Sequence, residues 1–105
     1  MSDKKDSKEQ KINIELDDST SQGIYSNLAV INHSPSEFVI DFVNLMPGSP
    51  KARVKSRIIL TPEHAKRFHK ALEDNIKRFE KSTGEIKVNE KSSSIPLNFG
   101  TQGEA

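Results

Sequence analysis

The clearest hydrophobic pattern lies in the last third of the chain, where apolar residues recur every three or four positions: Ala65, Phe68, Leu72, Ile76 and Phe79. This spacing places them along one side of a helix whose other sides are charged. Thr61 is a suitable N-cap, Pro62 suits the first helical position, and Gly84 suits the position after the last turn. The pattern predicts an amphipathic helix from about Pro62 to Ser82.

Upstream of this helix, four segments have the composition and alternation of β-strands. They span Lys11–Leu16, Ile24–Asn32, Glu37–Leu45 and Ala52–Leu60. Short connections that contain Pro, Gly and Ser join the last three, which indicates an antiparallel meander, and the place of Lys11–Leu16 in the sheet stays open. The predicted fold class is α+β: an antiparallel β-meander of three to four strands, then one long amphipathic helix packed on one sheet face, with disordered termini.

The length of 105 residues is enough for at most one domain. Residues 1–10 are polar and charged and are interpreted as a disordered N-terminal tail, residues 11–84 as a single α+β domain, and residues 85–105 as a flexible C-terminal tail. Within that tail, Ile86 and Val88 are compatible with a short extra strand. Ile95, Leu97 and Phe99 alternate and are compatible with a short docking segment, although the tail interpretation is preferred.

Two of the predicted strands are apolar on both of their faces, whereas one helix covers only one face of a sheet. We expect the helix to cover the following side chains: Phe38, Ile40, Phe42, Val54, Ile58 and Leu60. The candidate self-association face then comprises Tyr25, Ala29, Ile31, Val39, Val43 and Leu45. Exposed apolar patches mark interaction sites, so the sequence predicts a homo-oligomer, most simply a two-fold dimer.

Arg53, Lys55 and Arg57 alternate along the last predicted strand and form a candidate basic binding stripe. One interpretation is that the stripe binds phosphate groups or an acidic partner. The other is that the charges protect an edge strand from pairing with further strands. The net charge of +1 is too small to favour nucleic acid by itself, and no aromatic residue interleaves the stripe to stack on bases.

Few residues are candidates for chemistry. Asp41 lies inside an apolar strand, and we expect it to form an ion pair with the basic residues of the neighbouring strand. His33 lies in a predicted turn beside Ser34 and Ser36, where local hydrogen bonds explain it better than catalysis does. His69 and Glu73 share one side of the helix, but two ligands are too few for a structural zinc site. We therefore predict no catalytic, cofactor-binding or metal-binding residue, and a protein that is not an enzyme.

The absence of cysteine excludes disulfides and thiolate chemistry. The N-terminal segment MSDKKDSKEQ lacks the apolar core of a signal peptide, and no apolar run approaches membrane-spanning length. We expect a cytoplasmic protein without a membrane partner.

Two stretches of the chain resemble a family of small bacterial proteins known only as a domain of unknown function. They are NxxxINHSxSEFVIDF and PGxPKAxVKSRIILTPEHAK, and with the following helix the resemblance covers about residues 23–84. It implies a compact α+β domain in a cytoplasmic protein and no particular activity. At the level of fold alone, the sheet followed by a helix is similar to the SecB-type export chaperones.

The leading hypothesis is a small cytoplasmic interaction module that self-associates and binds a protein partner, of which a chaperone-like activity is one form. The alternative is a basic accessory protein that binds nucleic acid through the stripe. An enzyme ranks third, and the identity of the partner does not follow from the residues.

Overall fold

The computed structural model describes residues 11–88, which fall into two compact units divided after Pro62. The first, here called the sheet unit, contains a short helix α1 (Asp18–Ser21) and three strands, β1 (Leu28–His33), β2 (Phe38–Asn44) and β3 (Arg53–Leu60). The strands form an antiparallel sheet in the order β1-β2-β3. A long helix, α2 (Pro62–Thr83), follows. The predicted α+β class and the meander are confirmed, whereas the packing of the helix on a sheet face and the single domain over residues 11–84 stay predictions.

Hydrogen bonds of Ser34 stabilise the turn between β1 and β2. The Ser34 backbone N–H donates to the Glu37 carbonyl oxygen at 2.9 Å. Its hydroxyl oxygen accepts from the N–H groups of Ser36 and Glu37, each at 3.3 Å. His33 is the last residue of β1 rather than part of the turn, and its ring stacks on Phe38 with ring centroids 5.3 Å apart. His33 therefore has a structural role at the closed end of the hairpin.

The open end of the same hairpin is held by the side chain of Asn27. Its amide nitrogen donates to the Leu45 carbonyl oxygen at 3.0 Å, and its amide oxygen accepts from the Leu45 N–H at 2.7 Å. The Asn27 side chain thus pairs with backbone just as a neighbouring strand would. Sequence patterns missed this contact because Asn27 resembles any polar residue at a strand end.

The segment before the sheet differs from the prediction. No strand forms over residues 11–16, and Ile12, Ile14 and Leu16 are all exposed, so the predicted first strand is wrong. An alternating pattern yields a strand only where a neighbouring strand pairs with it. The predicted connection that follows contains α1, because the Asp17 carboxylate accepts the Thr20 N–H at 2.8 Å and caps the helix.

Helix α2 begins at Pro62 and ends one residue later than predicted. Gly84 follows it with a φ of 115°, and its N–H donates to the Glu80 carbonyl oxygen at 2.9 Å. Among the described residues of the tail, residues 85–88 form no strand, and the Ile86 N–H donates to the Glu80 carboxylate at 3.0 Å. The predicted N-terminal tail, residues 1–10, and the possible docking segment Ile95–Phe99 lie outside the described residues.

Removing the Asn27 amide tests the hairpin. Asn27→Ala loses both side-chain bonds to Leu45, so we expect the free energy of unfolding to fall by about 1–2 kcal/mol. Asn27→Asp keeps an acceptor for the Leu45 N–H but places a second carboxylate oxygen against the Leu45 carbonyl oxygen, so it should not restore the lost stability. Urea unfolding followed by circular dichroism measures both, with Asn13→Ala, in the exposed segment before α1, as control. Equal stability of Asn27→Ala and the control would contradict this role.

Candidate functional site

The strand register defines two faces of the sheet, since directly paired residues of antiparallel strands share a face. One, here called the phenylalanine face, carries Ala29, Ile31, Phe38, Ile40, Phe42, Ser56, Ile58 and Leu60. The other, the aspartate face, carries Leu28, Val30, Val39, Asp41, Val43, Val54, Arg57 and Ile59. Both are mainly apolar, as the strand composition predicted.

The register divides the predicted self-association face. Ala29 and Ile31 pair with Phe42 and Ile40, so they lie on the phenylalanine face and not beside Val39 and Val43. Alternation within a strand sorts that strand's residues into two sets, but it does not say which set joins which set of the next strand. The turn decides that, and here it pairs His33 with Phe38. The predicted grouping of these residues on one face was therefore wrong.

The two remaining members of that set lie outside the strands. Tyr25 precedes β1 and is exposed, and Leu45 follows β2 and is half-buried. Val43 is only 4% exposed and belongs, with Ile40, to the core. A lysine at position 43 would therefore disrupt the fold itself, and Val43 offers little surface to a second copy. Whether the other members contact a partner stays a prediction.

A β-bulge in β3 divides the basic stripe. Phe42 pairs with Ser56 but Val43 pairs with Val54, which leaves Lys55 as the additional residue. Beyond the bulge, Val54 lies on the aspartate face rather than with Phe38 as predicted. Arg53 is opposite Asn44, so it falls on the other face from Arg57, which is opposite Asp41. The continuous stripe predicted from simple alternation was wrong.

The predicted ion pair of Asp41 is confirmed, and its partner is Arg57. Nε and Nη2 of Arg57 donate to the two Asp41 carboxylate oxygens at 2.6 and 2.8 Å. Asp41 is 1% exposed, whereas the Arg57 side chain is 52% exposed. This bidentate ion pair joins β2 to β3, and it provides a hydrogen-bond donor for each oxygen of the buried carboxylate.

The electrostatics of this pair leave the acid ionised. The hydrogen bonds and the positive charge of Arg57 hold the pKa of Asp41 below its usual value, although burial alone would raise it. In return, the same contacts raise the pKa of Arg57. A carboxylate engaged in this way is not a general acid at neutral pH. If Arg57 left Asp41 to bind a phosphate group, the buried Asp41 carboxylate would remain charged without a partner, which is energetically costly.

The phenylalanine face also carries a concavity of about 540 Å³. Its floor includes Phe42, Ser56 and Ile58, and its rim comes from residues 19–26, where Gly23 adopts a φ of 76°. Among the described residues that line it, serine and threonine hydroxyls are the polar side-chain groups and none of the side chains is ionisable. The concavity can therefore accommodate an apolar group but has no group for acid–base chemistry.

Within residues 11–88 no three His, Cys, Asp or Glu side chains cluster as they would around a metal ion. His64 lies beside Arg67 in the first turn of α2, with Nδ1 3.3 Å from Nη2 of that arginine. Across the same part of the chain, no helix has the length and apolar character needed to cross a membrane.

Comparison with known proteins gives one match. The family model described as "Protein of unknown function (DUF3467)" matches residues 1–88. No curated protein and no solved structure matches the chain, so the likeness to SecB-type chaperones is not confirmed.

Acid titration tests the Asp41 pair. Its folded-state pKa lies below the unfolded value of about 3.9. The ionised pair therefore contributes stability that is fully present above about pH 4 and is lost as the pH falls through the folded-state pKa. We expect Asp41→Asn to be less stable at pH 7 and to show a shallower loss of melting temperature on acidification. The exposed Asp74→Asn is the control. Identical acid profiles for wild type and Asp41→Asn would contradict this assignment.

Proposed function

The chain belongs to the DUF3467 family, and we propose that it is a non-enzymatic, cytoplasmic interaction module that self-associates and binds a protein partner. The family description names no activity, whereas the surfaces of the sheet unit and of α2 favour binding to other polypeptides.

The observation that carries the proposal is the apolar surface of the sheet unit. Large aliphatic side chains remain half-exposed on both faces, among them Ile31 at 58% and Ile59 at 55%. Among residues 11–88, in contrast, the buried apolar core consists of Ile40 and Val43 on the central strand. A sheet with so thin a core gains stability when a further apolar surface covers these side chains.

The apolar side of α2 supports the same proposal. Four large side chains of the predicted stripe on α2 are between 39% and 50% exposed: Phe68, Leu72, Ile76 and Phe79. Acid–base pairs support other sides of the helix, including Glu63 with Arg67 at 2.6 Å and Glu73 with Lys77 at 3.7 Å. A helix with one apolar side and charged remaining sides is a common element of protein recognition.

Two of the candidate groups for chemistry are engaged in other contacts. Asp41 is engaged by Arg57, and His33 stacks on Phe38. The alternative, nucleic-acid binding, needs a continuous row of basic side chains. It is weakened because Arg57 is occupied and Arg53 lies on the other face. These observations favour a protein-binding module over both competing classes.

Self-association is tested by light scattering coupled to size-exclusion chromatography over a concentration series. We expect the wild type to form a dimer in the micromolar range. The dimer should persist at high salt, since apolar contacts are not screened. A wild type that stays monomeric up to high micromolar concentration would remove self-association from the proposal.

The nucleic-acid alternative is tested on heparin and on labelled single-stranded and duplex DNA. The test variant combines Arg53→Glu with Lys55→Glu, which spares the Asp41–Arg57 pair. We expect its retention to fall only as much as that of a control with the same change in net charge. The control carries the same charge change on the helix, Lys66→Glu with Lys70→Glu. A loss of retention at least about tenfold larger than the control's, in a folded variant, would favour nucleic-acid binding instead.

A further inference from the structure

The two edges of the sheet differ in their protection. Edge strand β3 carries Arg53, Lys55 and Arg57 and contains the bulge, and both features discourage a further strand from pairing with it. Edge strand β1 has the sequence LAVINH, without Asp, Glu, Lys, Arg or Pro. Its residues pair with β2 in continuous register. An edge of this kind is a template for another strand.

The hydrogen-bond pattern shows which backbone groups β1 presents. The Ser34 N–H bonds to Glu37, and hydrogen-bonded pairs alternate along an antiparallel ladder. The residues of β1 that bond to β2 are therefore Leu28, Val30 and Asn32. The other three, Ala29, Ile31 and His33, direct their N–H and C=O groups away from β2. By the same alternation, Ile59 directs its backbone groups away from β2 on the β3 edge.

We propose that β1 pairs antiparallel with β1 of a second copy, across a two-fold axis at Ile31, so that two three-stranded sheets join into one of six strands. Ile31 is then opposite Ile31 of the second copy, and Ala29 is opposite His33 of the second copy. Each such pair exchanges about two hydrogen bonds. This inference rests on the proposed self-association and specifies the surface that forms it.

The self-complementarity of β1 favours a second copy as the occupant. The three outward-facing residues are evenly spaced about Ile31, so a two-fold axis there matches every donor with an acceptor. The exposed Ile31 side chains cover each other, which extends the phenylalanine face across the axis. A β3–β3 pairing would instead bring rows of arginine and lysine together.

Cysteine cross-linking tests the pairing directly, because the chain contains no cysteine of its own. In Ile31→Cys the two introduced residues are opposite each other with Cα atoms about 5.5 Å apart, within disulfide range. We expect mild oxidation of the dimer to link most of the protein. The matched control is Ile59→Cys, which is equally exposed but lies on the β3 edge, and it should link little.

Proline substitution tests the backbone bonds. Ile31→Pro removes an N–H that faces away from β2, so the ladder within the chain is kept while the centre of the proposed interface is lost. We expect the dimer dissociation constant to rise at least about tenfold while circular dichroism of the monomer stays native. Ile59→Pro, with the equivalent change on the other edge, should leave the dissociation constant within about twofold. If Ile31→Pro fails to fold, the cysteine pair decides.

The outcomes separate this inference from the broader proposal. If the wild type is a dimer but Ile59→Cys cross-links as readily as Ile31→Cys, the β1 interface is overturned while self-association is retained. A monomeric wild type overturns both. If the Ile31 amide of that monomer is also protected from hydrogen exchange, a segment of the same chain, such as residues 95–99, occupies the edge instead.

Discussion

The sheet depends on one ion pair, between Asp41 of the central strand and Arg57 of β3. A carboxylate that is 1% exposed would destabilise an apolar sheet if it had no partner, so the native register must keep these residues opposite each other. The pair therefore specifies how β2 and β3 align, beyond any net stability that it contributes. It also engages Arg57, one of the three residues of the candidate basic stripe, and so leaves that residue less available to a phosphate group.

The bulge at Lys55 is the second constraint. It allows Arg57 to meet Asp41 and Val54 to meet Val43 on the same face, at the cost of the regular alternation of β3. The basic residues consequently do not form one surface. They lie instead along an edge that both the charges and the bulge protect, while the edge made by β1 lacks such protection.

A thin core and unequal edges together favour association. The buried apolar core of the described residues consists of two aliphatic side chains, and larger ones remain half-exposed on the strands and along α2. A small fold can compensate for so little buried surface by pairing with another polypeptide. The Asn27 side chain and the Ser34 turn bond the hairpin at both of its ends, on either side of the outward-facing backbone groups of β1.

Local signals in the sequence determined the elements of this protein. Pro62, the three- and four-residue spacing of apolar residues and Gly84 predicted α2 almost to its ends, and the connections rich in Pro, Gly and Ser predicted the meander. The Asp41 pair also followed from a lone acid beside a basic strand. Tertiary structure alone decided which side chains share a face, since that depends on the turn at Ser34 and on the bulge at Lys55. It likewise decided that Lys11–Leu16 is not a strand, because an alternating segment becomes a strand only when a neighbour supplies the other half of its hydrogen bonds.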